Sequence, residues 1–377
     1  MKSKKAQRIV VIAGLIFWAS MGMTVWLHAE ESAKSYAAQG NDYLIKGQLD
    51  EAITAFSKAI ELNPKDSESY NNRGKAYRGK GQYDLAIKDY SKAIELNPAD
   101  ASYYNNRGGA YRGKGQYDLA IKDYDKAIEL SPTDAMSYNN RGLAYSDSGQ
   151  SDSAIKDFDK AIELNPKFAG AFNNRGMVYR AKGQYDTAIR DFDKAIEINP
   201  GDAASYNNRG GAYRSKGQYD PAINDFDKAI ELNPRDAVSY NNRGSAYRAK
   251  GSYHLAIKDF DRAIELNPAD AASYNNRGLA LSDNGQHDLA INDFDKAISL
   301  NPNYAAAYNN RGSAYLAKYR YELAIKDFDK AIELNPKLAA AFYNRGRIYQ
   351  KQGNLTQSEA DYKRAVELNP EFSKMPY

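Results

Sequence analysis

Apolar and small side chains recur at helical spacing in two bursts within residues 67–100. Each burst shares one helical face; the first consists of Tyr70, Gly74 and Tyr77, and the second of Leu85, Ala86, Tyr90, Ala93 and Ile94. Gly81 separates the bursts at a point where a helix can end in a left-handed turn. Pro98 ends the second burst, because it excludes Asn97 from the helical region. The pattern predicts a pair of helices of ~14 residues, each about 21 Å long.

The same pattern returns every 34 residues along the chain. Its marker is a proline that ends each unit: Pro64, Pro98, Pro132, Pro166, Pro200, Pro234, Pro268, Pro302, Pro336 and Pro370. A fixed period of this length is typical of stacked repeats, which build an extended surface rather than a compact pocket and so favour binding. We predict ten units: 33–66, 67–100, 101–134, 135–168, 169–202, 203–236, 237–270, 271–304, 305–338 and 339–372. Residues 1–29 precede these repeats, and a short tail, 373–377, follows them.

Three positions in the repeat make specific packing predictions. Gly74 has a glycine equivalent in the first helix of every unit, although a mid-helix glycine costs roughly 0.5–1 kcal/mol relative to alanine, so a neighbouring helix must need the space. Arg73 and Asp89 recur together in repeats 2 to 10 and are absent together from repeat 1, which predicts an ion pair across the helix pair. Tyr319 replaces the turn glycine of repeat 9, where we expect a turn that is either strained or reshaped.

These residues resemble a known family. The positions that carry the resemblance in repeat 2 are Tyr70, Gly74, Tyr77, Ala86, Tyr90, Ala93 and Pro98, which match the tetratricopeptide repeat (TPR) in residue type and spacing. The resemblance covers residues 33–372. It implies an all-α fold, a right-handed superhelical solenoid of ten helix-turn-helix repeats whose first helices line a concave groove. It also implies that the protein holds a segment of another protein.

Asparagine is the best candidate for a binding side chain. One asparagine recurs on the first helix of nine repeats: Asn72, Asn106, Asn140, Asn174, Asn208, Asn242, Asn276, Asn310 and Asn344. We call these the second asparagines, because another asparagine precedes most of them. The family geometry implies that they face the groove, as in the similar repeat domain of O-linked N-acetylglucosamine transferases, whose catalytic domain has no counterpart here. An amide offers one donor and one acceptor to a peptide backbone. The alternative is local hydrogen bonding to the helix backbone.

The neighbouring first asparagines, which run from Asn71 to Asn309, either join the groove or face solvent.

A row of arginines follows further along the first helix: Arg78, Arg112, Arg180, Arg214 and Arg248. Repeats 4 and 8 interrupt this row with Ser146-Asp147 and Ser282-Asp283. The row either selects acidic segments or forms a solvated groove edge.

Composition excludes several classes of function. The chain contains 52 basic and 48 acidic residues, and four of the basic ones lie in the first eight positions, so residues 30–377 are balanced at 48 of each. That balance disfavours nucleic-acid binding. The chain has no cysteine and only three histidines, and no nucleophile motif, phosphate loop or zinc-ligand cluster is present in its sequence. We therefore expect no enzymatic activity, no cofactor and no metal.

The first 29 residues predict export. A basic start is followed by an uncharged stretch, residues 9–27, and then by Glu30 and Glu31. This order favours a cytoplasmic N-terminus with the remainder outside. The stretch is an uncleaved hydrophobic helix that anchors the protein in the inner membrane, or a cleaved signal that leaves it periplasmic or secreted. A buried core helix is a third, less favoured alternative.

Together these features predict a non-enzymatic scaffold that binds an extended protein segment in the asparagine-lined groove. The alternative is a structural spacer of the cell envelope that acts through its convex face or free end. The sequence leaves open both the identity of the partner and the oligomeric state.

Overall fold

The computed structural model describes residues 30–375, and these residues form tandem antiparallel helix pairs without any strand. Helix α1 covers residues 30–45. The others are α2 Leu49–Leu62, α3 Ser67–Gly79, α4 Tyr83–Leu96, α5 Ala101–Gly113, α6 Tyr117–Leu130, α7 Ala135–Asp147, α8 Ser151–Leu164, α9 Ala169–Ala181, α10 Tyr185–Ile198, α11 Ala203–Ser215, α12 Tyr219–Leu232, α13 Ala237–Ala249, α14 Tyr253–Leu266, α15 Ala271–Asp283, α16 His287–Leu300, α17 Ala305–Ala317, α18 Tyr321–Leu334, α19 Ala339–Lys351 and α20 Leu355–Leu368, followed by a 3-10 helix, Pro370–Lys374. The predicted all-α class and the tandem helix pairs are confirmed.

The chain divides into two compact units within α9. Unit 1 runs to Val178, and unit 2 begins at Tyr179. Unit 1 contains the helix pairs that start at α1, α3, α5 and α7, and unit 2 contains those that start at α11, α13, α15, α17 and α19. The predicted hydrophobic helix at residues 9–27 lies outside the described residues.

Short polar side chains and glycines set the ends of the helices. Asp236 caps α13 by accepting hydrogen bonds from the backbone N–H groups of Val238 and Ser239. Gly251 ends the same helix with a φ of 78°, a conformation that glycine adopts without a Cβ clash. Tyr319 adopts a φ of 60° in the corresponding turn of repeat 9, and no other non-glycine residue of 30–375 has a positive φ. The predicted strain at Tyr319 is therefore confirmed.

In most pairs the core is an aromatic ring packed against a glycine; at Gly346 of the last pair the neighbours are instead Asp361 and the backbone of α20. Phe226 on α12 is fully buried, and an added Cβ on Gly210 of α11 would lie 2.8 Å from its ring. Ala222 and Ala229, on the same face of α12, are also fully buried. Burying a phenylalanine side chain contributes about 1.5–3 kcal/mol, which offsets the cost of a mid-helix glycine. The glycine recurs because a ring from the partner helix takes the place of its side chain.

An arginine joins the two helices in most pairs after the first. Arg73 of α3 donates from Nε and Nη2 to the two carboxylate oxygens of Asp89 on α4, at 2.7 and 2.8 Å. Asp89 is buried, and the hydrogen bond to it raises the pKa of Arg73. The predicted Arg73–Asp89 ion pair is confirmed, and equivalent pairs join α5 to α6 and α13 to α14.

Candidate functional site

The second asparagines connect consecutive repeats through their side chains. Most of them donate a hydrogen bond from Nδ2 to the Oδ1 atom of an asparagine on the first helix of the preceding repeat. In unit 1 the bonds are Asn72 to Asn41 (3.0 Å), Asn106 to Asn71 (2.8 Å) and Asn174 to Asn139 (2.9 Å). In unit 2 they are Asn242 to Asn207 (3.0 Å), Asn276 to Asn241 (2.8 Å), Asn310 to Asn275 (2.9 Å) and Asn344 to Asn309 (3.5 Å). The amides therefore link neighbouring first helices in both units, with an interruption in unit 1, where the Oδ1 atom of Asn105 accepts no hydrogen bond.

The first asparagines accept these bonds in every case except that of Asn72, which donates to Asn41. Asn71, Asn139 and Asn275 are all buried. Asn241 also donates to the hydroxyl of Ser273 in the next repeat at 2.6 Å. These amides hold neighbouring repeats together. The sequence predicted that the first asparagines either join the groove or face solvent, and neither prediction included this role. The signal in the sequence was the separation of 35 residues between donor and acceptor, which holds for every bond except Asn72 to Asn41. This separation acquires meaning only once two first helices are known to be adjacent.

Most of the second asparagines keep hydrogen-bonding capacity after making the bond to the preceding repeat. Asn106, Asn242 and Asn276 are half-buried, and each commits one N–H to its neighbour, which leaves a second N–H and the carbonyl oxygen for another group. Asn72 differs, because its Oδ1 accepts hydrogen bonds from Asn71 and from Lys75, both at 3.0 Å. Asn208 lies at the corresponding position of α11.

A cleft of about 920 Å³ lies against the first helices of unit 1. Asn106 and Asn140 line it, together with Arg78 and Arg112. Tyr124 also lines the cleft, although its side chain is almost completely buried, and this burial raises the pKa of Tyr124 to about 12. Two of the predicted asparagines and two of the predicted arginines are thus brought to one cleft, together with Tyr124, which occupies the position of Tyr90 in the next repeat.

The arginine row divides into paired and unpaired members. Arg112 donates from Nε to Asp147 of the next repeat at 2.6 Å, and Arg248 donates to Asp283 at the same distance. Within residues 30–375, Arg78, Arg180 and Arg214 form no ion pair with a carboxylate. Burial lowers the pKa of both Arg180 and Arg214, and Arg180 adds to this effect at Arg214 because the two charges repel. The interruptions of the row at Asp147 and Asp283 therefore act as acceptors for the preceding arginine.

Other kinds of site find little support in the described part of the chain. Residues 30–375 contain no cluster of three or more histidine, aspartate or glutamate side chains that could hold a metal ion. None of the helices described has both the length and the apolar character needed to cross a bilayer. The predicted membrane segment, residues 9–27, is outside this range.

Comparison with known proteins identifies the repeat. One model of the TPR repeat matches residues 40–81, 108–149, 210–251, 244–285 and 314–353. Two further tetratricopeptide repeat models match residues 67–100, 135–168, 169–202, 271–304 and 339–372, and residues 90–122, 192–223 and 294–326. No curated protein matches the chain.

Solved structures share the fold. A tetratricopeptide repeat protein from Parabacteroides merdae is 24% identical, with a TM-score of 0.55 over 67% of this chain and 99% of that one. The hetero-tetramer Cut9–Hcn1 of the APC/C is similar at 14% identity and a TM-score of 0.51, over 91% and 95% of the two chains. Yeast Tom70 is 17% identical, with a TM-score of 0.49 over 90% and 92%. The repeat models together span most of residues 40–372, and the chain belongs to the tetratricopeptide repeat family.

Proposed function

We propose that this protein is a non-enzymatic scaffold that holds an extended segment of another protein on the first helices of its repeats. Tetratricopeptide repeat proteins bind peptides or proteins, and the family assignment supports a role in protein–protein interaction. The observation that carries the finer proposal is that Asn106, Asn242 and Asn276 are half-buried and that each keeps one N–H and its carbonyl oxygen uncommitted.

The spacing of this row suits a peptide backbone. First helices of neighbouring repeats should lie roughly 8–10 Å apart. An extended segment advances about 3.3 Å per residue. Each asparagine would therefore meet every third residue, and its amide would pair with the backbone N–H and C=O of that residue. Such contacts hold a segment with little dependence on its sequence, so the amide row supplies affinity, and other side chains supply selectivity.

We also propose that the repeats act outside the cytoplasm. The basic start, the uncharged residues 9–27 and the acidic pair Glu30-Glu31 support export. Residues 9–27 would then either tether the scaffold to the inner membrane or be removed with the signal. N-terminal sequencing of the protein purified from its own cells distinguishes these two outcomes.

Affinity capture with matched variants tests the binding proposal. The test variant carries Asn242→Ala and Asn276→Ala on two first helices of unit 2. The control variant carries Asn224→Ala and Asn292→Ala, which remove exposed asparagines from second helices of the same unit. Mass spectrometry of the captured proteins should show a partner that wild type and control retain and that the test variant loses, with unchanged helicity by circular dichroism. Partners retained equally by all three would refute the asparagine row as the site.

A further inference from the structure

Arg180 and Arg214 are two cations that the chain itself does not neutralise. They occupy equivalent positions near the C-terminal ends of α9 and α11, and both are half-buried. Among the described residues neither donates to a carboxylate, and the charged group that acts most clearly on Arg214 is Arg180 itself. Two like charges that are partly removed from water and lack an acceptor raise the free energy of the unliganded surface.

The fold leaves room for Arg180 to lie against the next repeat. A Cβ added to Gly211 of α11 would overlap the Nη1 atom of Arg180. The guanidinium therefore lies across the surface of the following first helix, at the place where most other repeats carry a larger side chain. The same relationship occurs in unit 1, where an added Cβ on Gly109 would be 2.8 Å from Nη1 of Arg78.

The arginines that form ion pairs show which group Arg180 and Arg214 lack. Arg112 and Arg248 each donate to an aspartate 35 residues later in the sequence, Asp147 and Asp283. The residues 35 positions after Arg180 and Arg214 are Ser215 and Ala249. The architecture accepts a carboxylate at this position, since it holds one there in repeats 4 and 8. Repeats 6 and 7 lack it, which leaves both guanidinium groups available to a carboxylate of another molecule.

We propose that Arg180 and Arg214 bind two carboxylates of an acidic protein segment, spaced three residues apart along an extended backbone. This inference rests on the proposed function, because the second asparagines of unit 2 would hold the same backbone. The spacing follows from first helices roughly 8–10 Å apart and an extended rise of about 3.3 Å per residue. A guanidinium pairs well with a carboxylate through parallel hydrogen bonds. The equal numbers of basic and acidic residues in 30–377 favour a short acidic segment over a nucleic acid.

Fluorescence anisotropy with two synthetic probes tests the inference. The acidic peptide has about ten glycine and serine residues in an extended chain, with two aspartates three positions apart; the neutral peptide has asparagine in place of both aspartates. Wild type should bind the acidic peptide about tenfold more tightly than the neutral one. The variant Ser215→Asp with Ala249→Asp should lose this preference, because its own carboxylates occupy the guanidinium groups as Asp147 and Asp283 do.

A size-matched control separates charge from shape. The variant Ser215→Asn with Ala249→Asn introduces side chains of the same size without charge and should keep most of the preference. Arg248→Gln removes an arginine that is already paired and should change the preference less than twofold.

Three results would overturn the inference. They are equal binding of both peptides by wild type, an undiminished preference in the double-aspartate variant, and an equal loss of preference in the double-asparagine control. Equal binding would leave the proposed function intact, since the asparagines would still hold a backbone. Failure of both peptides to bind would instead contradict the proposed function and this inference together.

Discussion

Arg243 of α13 donates two parallel hydrogen bonds to Asp259 of α14, from Nε to Oδ2 at 2.8 Å and from Nη2 to Oδ1 at 2.6 Å. The same guanidinium donates from Nη1 to Asp227 of the preceding repeat at 2.5 Å. Asp259 is buried, whereas the side chain of Asp227 is about half exposed. One arginine therefore bonds to two carboxylates that differ chiefly in their access to water, and it links three helices across two repeats.

We expect the two carboxylates to differ in their contribution to stability. Asp259→Ala leaves a half-buried guanidinium without its main acceptor and should lower the free energy of unfolding by about 3 kcal/mol. Asp227→Ala removes an exposed partner and should cost less than about 1 kcal/mol. Urea denaturation measures both variants, and hydrogen exchange at the backbone amides of α13 and α14 measures the local effect. Equal losses in the two variants would show that burial does not decide the strength of these pairs.

The burial of Tyr124 should make the protein less stable at alkaline pH. Burial raises the pKa of Tyr124 to about 12, whereas an exposed tyrosine ionises near 10. The unfolded chain therefore releases the proton of Tyr124 at a lower pH than the folded chain does. The contribution of Tyr124 to the free energy of unfolding is complete below about pH 10 and falls as the pH rises towards 12. Between pH 8 and 11, the free energy of unfolding should fall by about 1 kcal/mol more in wild type than in Tyr124→Phe.

Urea denaturation of both proteins at pH 8 and pH 11 checks this difference. The fold should accept the substitution, because Phe158 and Phe226 occupy equivalent positions in other repeats and are fully buried. An identical pH dependence in wild type and Tyr124→Phe would contradict the expectation.

Contacts inside one repeat could be predicted from the sequence. The joint recurrence of Arg73 and Asp89 predicted an ion pair that the structure contains. Tyr319 stood out because a glycine occupies its position in the other repeats, and its φ of 60° follows. These predictions succeeded because helix geometry and a single turn determine which residues of one helix pair face each other.

Contacts between repeats could not be predicted in the same way. Asn71 accepts from Asn106, and Arg112 donates to Asp147, only because neighbouring first helices pack with a particular offset. Hydrophobic periodicity determines which face of a helix is buried, but it leaves this offset undetermined. The division of the arginine row into paired and unpaired members, and the burial of Asn71, Asn139 and Asn275, therefore emerged only from the three-dimensional arrangement.

The central claim is that the second asparagines hold a bound backbone, and their side-chain amide signals test it most directly. Nuclear magnetic resonance of protein labelled with ¹⁵N at asparagine would follow these signals as the acidic peptide is added. The account predicts shifts at Asn242 and Asn276 and none at the exposed Asn224 and Asn292 of the second helices. Saturation by the peptide with Asn242 and Asn276 unchanged, or with shifts confined to Asn224 and Asn292, would contradict it.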